Sequence, residues 1–366
     1  MSSEQSAAAP PLNVALPMLN LVPGGMGGTE TYTRELLAEF ARRTDITATA
    51  FVPVNAAGFS TDSAEVVVQG VRSGLGAAKR VTTLAEAALR GPQIRSRYAS
   101  ADVVHYPFTA PLPWPNGRQP WVTTLHDVQH LDLPHLFTKA DFLYRRRYYE
   151  QAAERADAVI TISEFAKDTL VNRLGIDPDR VHVSHLGVDL TKYRANLGPR
   201  ENFLLYPARG WAHKNHAKLI EAVGILRESD PTLTLVLTGG NLDSLGPLPE
   251  WVDWRGLVSA GELADLYRRA AALVFPSLYE GFGLPPLEAM ASGCPVAASR
   301  AGSIPEVVGD AAVLFDPEDP RDIARGVTEA RERSAELAQA GLRRAETFTW
   351  ERCAQEHVDV YRMVAR

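Results

Sequence analysis

Two glutamates bracket a glycine-rich turn in the segment Glu280–Glu288, which reads Glu-Gly-Phe-Gly-Leu-Pro-Pro-Leu-Glu. Gly281 and Gly283 let the backbone adopt positive φ and approach a ligand closely, and the proline pair that follows favours the start of a helix. Amides at a helix start attract anions, so this segment predicts a diphosphate site. Because carboxylates repel phosphate, we expect Glu280 and Glu288 to hold neutral groups beside it, such as sugar hydroxyls. A sugar next to a diphosphate indicates a nucleotide sugar.

Both glutamates also have purely structural interpretations. Glu288 would fall in the first turn of the predicted helix, where a carboxylate offsets the positive end of the helix dipole without any ligand. Glu280 could equally accept hydrogen bonds from amides of its own loop. Short motifs often match by chance, so this segment taken alone leaves both interpretations open.

Two cations follow an apolar run, Phe203–Pro207, that predicts a strand. Arg209 and Lys214 lie just beyond it, in the sequence Ala-Arg-Gly-Trp-Ala-His-Lys-Asn-His. Ligands of doubly wound α/β sheets bind beyond the carboxyl ends of strands, so both side chains are placed to contact a diphosphate. The alternative is that they only extend along the rim of a cleft towards solvent.

Short apolar runs alternate with longer amphipathic runs along almost the whole chain. In the first half, apolar runs predict strands at Leu12–Leu16, Ile46–Val54, Ala64–Gln69, Val103–Tyr106, Trp121–Leu125, Ala158–Ile162 and Val181–Ser184. The clearest helices between them are Thr29–Arg43, Leu143–Ala156 and Glu164–Leu174, the last with Ser163 as its cap. This repetition predicts parallel sheets with right-handed crossovers, which is an α/β doubly wound architecture.

The pattern pauses at the polar stretch Ala195–Glu201 and then restarts. Further strands are predicted at Phe203–Pro207, Leu233–Thr238, Ala272–Phe275, Val296–Ser299 and Ala312–Phe315. Helix starts carry capping signals, at Ser259 with Glu262 and at Asp319 with Pro320. We therefore expect two Rossmann-like domains that face a central cleft lined by the carboxyl ends of their strands.

The expected boundaries follow from these patterns. Residues 1–11 are small and polar and end in two prolines, so they predict a flexible tail and not a signal peptide. Residues 12–196 form the N-terminal domain, and residues 197–348 form the C-terminal domain with the diphosphate site. Residues 349–366 form an amphipathic helix that is expected to pack back on the N-terminal domain, with apolar anchors at Trp350, Val358, Tyr361 and Val364.

Composition excludes several classes of protein. The chain has 366 residues, of which 45% are hydrophobic, enough for two ordinary buried cores. No apolar run approaches the length of a membrane span, and Cys294 and Cys353 form no disulfide framework, so we expect a cytoplasmic, reducing environment. The net charge of −6 divides into +1 over the first 200 residues and −7 over the rest, which argues against a nucleic-acid partner.

Jointly, these features resemble the retaining glycosyltransferases of family four, the group 1 glycosyltransferases with the GT-B fold. The resemblance extends from Gly24 to the last helix. It rests on four motifs, which are the spacing of Glu280 and Glu288, the pair Arg209 and Lys214, the turn Gly27-Gly-Thr-Glu30 and the run Asp157–Ser163. It implies an acceptor-side N-terminal domain and a C-terminal domain that binds a nucleotide-sugar donor.

The resemblance also implies roles for the residues of the C-terminal domain. The residue matching Glu288 holds the nucleotide ribose, and the residue matching Glu280 faces the donor sugar. Arg209 and Lys214 would then grip the diphosphate. Backbone groups complete the expected donor site at Leu257, Phe282, Gly283 and Leu284, the first of them near the nucleotide base.

Loops of the N-terminal domain are expected to complete the cleft. Gly28, in the loop Gly24–Gly28, would face the phosphates or the acceptor, and Glu30 beside it is an acceptor-side candidate. His126 resembles the family histidine that contacts the donor sugar, and Asp127 would orient the imidazole or the acceptor. The expected catalytic residues are His126, Glu280, Arg209 and Lys214.

Two patterns imitate metal sites. His126-Asp-Val-Gln-His130 has the spacing of two zinc ligands on a helix, but Pro134 follows closely and the sequence places no third ligand. Asp177-Pro-Asp179 matches the Asp-x-Asp of other glycosyltransferases, yet its residues are also those expected in a turn between a helix and a strand. We therefore expect no metal and no cofactor, with the leaving-group charge stabilised by the two cations and backbone donors.

The implied reaction transfers a hexosyl unit from a nucleoside diphosphate sugar to an acceptor hydroxyl with retention, and the departing phosphate takes the acceptor proton. The stretch Lys214-Asn-His216 looks more like the polysaccharide mannosyltransferase branch, which favours GDP-mannose, with a UDP-sugar as the other option. The acceptor is expected to be a glycan, a lipid-linked molecule or a small molecule. A nucleotide-sugar epimerase, which would isomerise the donor without an acceptor, and a non-catalytic sugar-nucleotide sensor remain alternatives.

Basic residues cluster in the N-terminal domain. They are Lys79, Arg80, Arg90, Arg95 and Arg97, followed by the run Arg145–Arg147. Such clusters either dock on anionic lipid headgroups or form a solvated helix face. Peripheral contact with the inner face of a membrane, through the N-terminal domain, is therefore one option for this protein.

Overall fold

The computed structural model of the protein describes residues 10–366, and within them the chain forms two parallel β-sheets. The predicted tail, residues 1–11, lies outside the described residues except for its last two. The first sheet contains β1 (Leu12–Pro17), β2 (Ile46–Pro53), β3 (Ala64–Val68), β4 (Val103–Tyr106), β5 (Trp121–Thr124), β6 (Ala158–Thr161) and β7 (Val181–Val183). Its strand order is β3-β2-β1-β4-β5-β6-β7.

The second sheet repeats this winding with six strands. They are β8 (Glu201–Pro207), β9 (Thr234–Thr238), β10 (Val252–Trp254), β11 (Ala270–Phe275), β12 (Val296–Ser299) and β13 (Val313–Phe315). The order is β10-β9-β8-β11-β12-β13. Each sheet therefore reverses its winding between two central strands, β1 and β4 in the first and β8 and β11 in the second. The loops that leave these strands diverge and open a crevice, which is where such sheets bind ligands.

Helices connect the strands. In the first half they are α1 (Gly28–Ala41), α2 (Ala77–Leu89), α3 (Gly91–Arg97), α4 (Gln129–Asp132), α5 (Lys139–Arg145), α6 (Gln151–Arg155) and α7 (Glu164–Leu174). In the second half they are α8 (His216–Arg227), α9 (Ala260–Arg269), α10 (Leu284–Ala291), α11 (Ile304–Val308), α12 (Pro320–Glu332), α13 (Ser334–Ala345) and α14 (Trp350–Val364). A π-helical turn, Arg146–Glu150, joins α5 to α6.

The predicted fold class, two doubly wound α/β units, is confirmed. Every predicted strand is present with bounds within two residues, and the predicted caps accept hydrogen bonds from amides of their helices, at Ser163, Ser259 and Asp319. β10 was not predicted, because three residues with a charged centre give too short an apolar run. The predicted start of the helix Leu143–Ala156 is wrong, since the helical stretch begins at Lys139, directly after its N-cap residue Thr138.

Both sheets are buried, as parallel sheets covered on two faces must be. All four residues of β4, β5, β6 and β12 are buried, and the two free cysteines, Cys294 and Cys353, lie in the interior. No helix within residues 10–366 is both long and apolar enough to cross a membrane.

The last helix crosses from the second sheet to the first. α13 packs against α10, whereas α14 packs against α1. Arg362 Nη2 of α14 also lies 2.6 Å from Oδ2 of Asp45, in the turn between α1 and β2. Gly187 permits the crossing, because a Cβ there would lie 2.2 Å from the backbone nitrogen of Trp350. Trp350, Val358 and Tyr361 are buried, which fits their predicted role as anchors, and Val364 is partly exposed.

Candidate active site

The candidate site forms where loops of the two sheets meet. The loop after β8 carries Arg209 and Lys214, and the loop after the neighbouring strand β11 carries Glu280. Gly210 fixes the first loop against the loop after β9, since a Cβ at this position would lie 1.9 Å from the Asn241 carbonyl oxygen. The winding of the second sheet therefore brings together three residues that are separated by up to 71 positions in the sequence.

Lys214 is fixed at its backbone and ion-paired at its tip. It ends the 3-10 turn Ala212–Lys214, and its carbonyl oxygen accepts a 2.7 Å hydrogen bond from the hydroxyl of buried Tyr206. Its Nζ lies 2.5 Å from Glu280 Oε1, and the two side chains are only 14% and 13% exposed. The cation predicted for the diphosphate and the carboxylate predicted for the sugar thus lie side by side, and each fixes the direction of the other.

Arg209 reaches across the cleft to the glycine-rich loop of the first sheet. Its Nη2 donates to the Gly24 carbonyl oxygen at 3.0 Å, while Glu30 Oε2 accepts from the Gly24 amide at 2.8 Å. Gly24 and Gly27 have φ of +74° and +59°, which favours glycine at both positions. Glu30, predicted on the acceptor side, therefore holds the loop that Arg209 contacts.

The loop before α10 packs on the first sheet. A Cβ on Gly281 would lie 2.5 Å from the His126 carbonyl oxygen, and Ser163 Oγ donates to the Gly281 carbonyl oxygen at 2.7 Å. Gly283, with φ +117°, is the N-cap of α10. Because the two prolines that follow Leu284 have no N–H, the amide donors at this helix start belong to Gly283 and Leu284.

The other residues predicted on the donor side lie around this centre. Gly28 opens α1 opposite α10, and a Cβ there would lie 3.7 Å from Leu284 Cδ1. The Phe282 ring is buried against Phe348, with ring centroids 5.8 Å apart, so its backbone is the part that can face a ligand. Leu257 is 74% exposed in the loop after β10. Their contacts with a donor stay predictions.

Glu288 is the fifth residue of α10, and the first turn of that helix contains no acidic residue. The interpretation of Glu288 as a partner of the helix dipole is therefore wrong, because Pro285 and Pro286 are already helical and push it into the second turn. Its oxygens accept hydrogen bonds from Tyr193 at 2.7 Å and from Tyr267 at 2.9 Å. Burial raises the pKa of Glu288, an effect that these two hydrogen bonds oppose.

His126 follows β5 and is neutral near pH 7. Burial lowers the pKa of its imidazole to about 4, against weaker opposing effects of Asp127 and of the Pro107 carbonyl group. The Nε2 donates to the Pro107 carbonyl oxygen at 3.3 Å, and the ring meets the Tyr32 ring edge to face at 5.2 Å. The Asp127 carboxylate accepts a 3.1 Å hydrogen bond from the Gln129 amide, and its Oδ1 lies 3.9 Å from Arg145 Nη1. Orientation of the imidazole thus comes from Pro107 and Tyr32, and Asp127 faces Arg145.

Sequence reasoning missed four residues around the cleft. Tyr193 and Tyr267 bind Glu288, and His213 lies next to Lys214, with its carbonyl oxygen accepting from the Leu278 amide at 2.8 Å. Burial lowers the pKa of His213 to about 4, so it too is neutral near pH 7. The sequence offered one signal, a histidine directly before a site lysine, but no signal for the tyrosines, which are distant in sequence.

The fourth missed residue, Glu306, joins the two sheets. This residue of α11 accepts hydrogen bonds from the Glu164 and Phe165 amides at 2.8 and 3.0 Å, at the start of α7 in the other half of the molecule. It also lies 2.7 Å from His185 Nε2. Burial alone would raise the pKa of Glu306, but these hydrogen bonds hold it below its usual range.

Neither metal-like pattern forms a metal site in the structure. Residues 10–366 contain no group of three or more His, Cys, Asp or Glu side chains placed to hold a metal ion. Two zinc ligands at this spacing would have to lie on one helix, but α4 has four residues and does not include His126. The His130 Nε2 atom instead lies 3.0 Å from Glu150 Oε1. Asp177 caps a turn by accepting from the Asp179 amide at 3.0 Å, as the turn interpretation predicts.

Comparison with solved structures defines the class. The structure of HepE from Anabaena in complex with UDP and glucose has a TM-score of 0.72 to this protein, with 17% identity, and covers 95% of this chain and 98% of that one. This likeness shows the GT-B fold. A family model described as Glycosyltransferase Family 4 matches residues 26–192, and one described as Glycosyl transferases group 1 matches residues 191–345. The chain belongs to the group 1, family 4 glycosyltransferases.

Two relatives are glycosyltransferases by name. The chain is 28% identical to O-antigen chain mannosyltransferase B of Escherichia coli over 74% of this chain and 77% of that protein. It is 32% identical to MMP alpha-(1->4)-mannosyltransferase of Mycolicibacterium hassiacum over 59% of this chain and 58% of that protein. The match thus spans less than two thirds of the second relative's length. The protein is a glycosyltransferase, and these relatives give no support to the epimerase or sensor alternatives.

Proposed function

We propose that this protein is a retaining, metal-independent hexosyltransferase that moves a mannosyl unit from GDP-mannose to an acceptor hydroxyl. The observation that carries the proposal is the pairing of Lys214 with Glu280 beside Arg209, on a loop that packs at Gly281 against the His126 backbone of the first sheet. This arrangement offers positive charge for a diphosphate and, directly beside it, polar groups for a neutral sugar.

The diphosphate side of the site uses groups that are fixed in position. Arg209 and Lys214 are anchored on one loop, and the Gly283 and Leu284 amides start α10 nearby. As the bond to the sugar breaks, negative charge grows on the departing diphosphate, and preorganised donors stabilise such charge most in a site that excludes water. Two cations and a helix start supply this stabilisation, which supports a reaction without a metal.

The sugar side of the site uses a carboxylate and a neutral imidazole. Glu280 keeps an oxygen beyond its bond to Lys214 that can accept from a sugar hydroxyl. His126, neutral with Nε2 donating to Pro107, presents Nδ1 as an acceptor. An uncharged histidine also avoids placing a positive charge next to the sugar carbon that becomes cationic in the transition state. Retention itself rests on the family resemblance.

The choice of donor rests on the relatives. Both named above are mannosyltransferases, which supports a mannosyl donor, and the resemblance of Lys214-Asn-His216 to polysaccharide mannosyltransferases favours GDP. A UDP-sugar is the second option, because the structural neighbour from Anabaena was solved with UDP and glucose. The acceptor we favour is a glycan, as in the name of the Escherichia coli relative, ahead of a lipid-linked or small molecule.

The test is a donor screen followed by product analysis. Thermal shift against GDP, UDP, ADP and dTDP sugars should give the largest rise in melting temperature with GDP-mannose, because a ligand that binds the native state stabilises it by mass action. Transfer to a mannose-containing oligosaccharide should then give a product with the α configuration of the donor by NMR. An inverted product would overturn retention, and loss of turnover in EDTA would overturn the metal-independent mechanism.

Peripheral contact with a membrane is a further part of the proposal. Leu75, Val81, Leu89 and Leu143 are 54% to 81% exposed on the half of the protein that carries the basic clusters. Several of those basic side chains are engaged within the fold, for example Arg95 with the Trp114 carbonyl oxygen and Arg80 with Asp141. Sedimentation with vesicles containing anionic lipid should fall as salt rises, and equal binding to neutral vesicles would overturn charge-driven docking.

A further inference from the structure

The Glu288 carboxylate accepts hydrogen bonds from two tyrosine hydroxyls. Tyr193 donates its hydroxyl to Oε1 at 2.7 Å and Tyr267 donates to Oε2 at 2.9 Å, so each oxygen has one tyrosine. Tyr193 is 5% exposed and Tyr267 is fully buried, whereas Glu288 is partly exposed. The carboxylate is thus held from the inside of the protein by two donors, while the Glu288 residue as a whole keeps part of its surface exposed.

The two tyrosines form a rigid support. Their rings meet edge to face, with centroids 5.9 Å apart and planes at 71°, and Lys192 Nζ lies 4.8 Å from the centre of the Tyr193 ring. Burial raises the pKa of both phenols, so each keeps its proton and acts as a donor. Tyr267 belongs to α9, and Tyr193 lies on the stretch between β7 and β8 that joins the two sheets. The direction of the carboxylate is therefore fixed by two separate parts of the chain.

The bonding capacity of a carboxylate limits what else Glu288 can bind. An ionised carboxylate has about four acceptor positions, two on each oxygen. With one position of each oxygen taken by a tyrosine, one position on each oxygen is left. The partner that fits is a pair of hydroxyls on neighbouring carbons, each donating one hydrogen bond to a different oxygen. The cis 2′,3′-diol of a ribose has this arrangement.

We propose that Tyr193 and Tyr267 are positioning residues that orient the Glu288 carboxylate for two-point recognition of a ribose 2′,3′-diol. The inference rests on the proposed function, in which Glu288 faces the ribose of the donor nucleotide. It adds a source of specificity, since a 2′-deoxyribose or a 3′-deoxyribose supplies only one of the two hydrogen bonds. The protein is then selective for ribonucleotides because of two side chains that do not touch the nucleotide.

Calorimetric titration with GDP, 2′-deoxy-GDP and 3′-deoxy-GDP, and with the matching UDP series, tests the inference. The wild-type protein should bind each ribonucleotide about tenfold more tightly than its deoxy counterparts, the value of one hydrogen bond to a charged group. Tyr193→Phe and Tyr267→Phe keep the rings and remove only the hydroxyls. Each should reduce this ratio to about threefold, because the carboxylate is then free to turn away from the diol.

Two controls separate positioning from general loss of structure. Tyr106→Phe removes the hydroxyl of another buried tyrosine, whose partner is the Pro113 carbonyl oxygen at 2.8 Å, and should lower the melting temperature without changing the ratio. Glu288→Gln should bring the ratio close to one. A ratio that stays at the wild-type value in both tyrosine variants, while Glu288→Gln abolishes it, overturns the positioning role alone.

Three further outcomes would overturn the inference. A ratio that persists in Glu288→Gln overturns the ribose contact of Glu288 and the inference with it, and leaves the donor site otherwise intact. If the wild-type protein binds neither GDP nor UDP, the proposed function fails together with the inference. A ratio lost equally in Tyr106→Phe assigns the effect to weakened folding and overturns the inference.

Discussion

Two groups of polar side chains differ in what they bind. The cleft charges are Arg209, Lys214 and Glu280. The histidine cluster lies between the first sheet, α1 and α14, and consists of Tyr32, His105, Thr124, His357 and Tyr361. In the histidine cluster every member is fully buried. Hydrogen bonds link the members, for example at 2.7 Å between Tyr32 and His357 and between His105 and Tyr361, and His357 Nδ1 also donates to the Cys353 carbonyl oxygen at 2.8 Å. The cleft charges are partly exposed and bind one another and the opposite loop.

Solvent exposure decides which of these polar groups are available to a ligand. Groups at the cleft can exchange a protein partner for a substrate, because solvent already reaches them. Groups in the histidine cluster satisfy one another in a low-dielectric interior, where leaving one unpaired is costly. We therefore expect substitutions of cleft charges to reduce activity with small changes in stability, and substitutions in the cluster to reduce stability first. Tyr32 connects the histidine cluster to His126, a predicted site residue, since the two rings are in contact.

The largest expected effect is in the cleft. Lys214→Ala removes a cation from the diphosphate side and leaves Glu280 without its partner, so kcat/KM should fall by about 10²–10³-fold. Steady-state kinetics with the donor found in the screen measures this fall. Lys218→Ala is the matched control, because Lys218 lies partly exposed on the following helix, α8, and its ion pair is with Glu221 of the same helix. A loss of less than threefold in Lys214→Ala would contradict a role of the cleft charges in activity.

The next effect is in the histidine cluster. His357→Ala leaves a cavity and removes one partner of the Tyr32 hydroxyl, so the free energy of unfolding should fall by about 2–4 kcal/mol. Urea denaturation followed by circular dichroism measures the change. Exposed His135 is a suitable control, and His135→Ala should be close to neutral. If His357→Ala were as stable as the wild-type protein, the hydrogen bonds of the histidine cluster would not stabilise the fold.

The cluster also makes stability depend on pH. Burial lowers the pKa of His357 and of nearby His126 to about 4, while the unfolded chain titrates near 6.5. Between these values the unfolded state binds more protons, so the contribution is complete above about pH 6.5 and stability falls as pH decreases towards 4. Melting temperatures from pH 8 to pH 4.5 should show this decline, with a shallower slope in His357→Gln. If the melting temperatures of the two proteins fell equally with pH, His357 would not contribute to the pH dependence of stability.

A smaller effect is expected where Glu306 joins the two halves. Glu306→Gln replaces a charged acceptor of two amides and should lower the free energy of unfolding by about 1–2 kcal/mol at pH 7. Because the folded pKa of Glu306 is depressed, its contribution is present above its unfolded value near 4.5 and is lost as pH falls through the folded pKa. The difference from wild type should therefore shrink in acid. Exposed Glu318 provides a control, and Glu318→Gln should show no such difference.

The smallest effect tests the contact between the cleft loops. Ser163→Ala removes the cap of α7 and a hydrogen bond to the Gly281 carbonyl oxygen, and should cost about 1 kcal/mol of stability. Ser259→Ala, at the cap of α9, removes a similar cap away from that contact. If both variants lose equal stability but only Ser163→Ala raises the KM for the donor, the contact holds the donor loop in place. Equal KM values would confine Ser163 to capping.

The residues that follow strands were predictable from the sequence, because an apolar run ends where a ligand loop begins. Arg209 and Lys214 were found in this way, and Glu280 was found from the glycine-rich turn that it opens. Glu306 was not, since its partners lie about 142 positions earlier in the chain and no local pattern connects an acidic residue to the start of a helix in the other half. Tyr193 was missed for the same reason, as its partner Glu288 is 95 positions away.

The alternation of strands and helices, the helix caps and the chemical types of the cleft residues can be predicted from the sequence, because they depend on neighbours within a few positions. The pairing of those residues depends on the tertiary structure. The tertiary structure turned Lys214 towards Glu280, placed Glu288 in the second turn of α10 between two tyrosines, and lowered the pKa of the His126 imidazole through burial. Burial and long-range pairing arise when the two sheets come together, so no local stretch of sequence contains them.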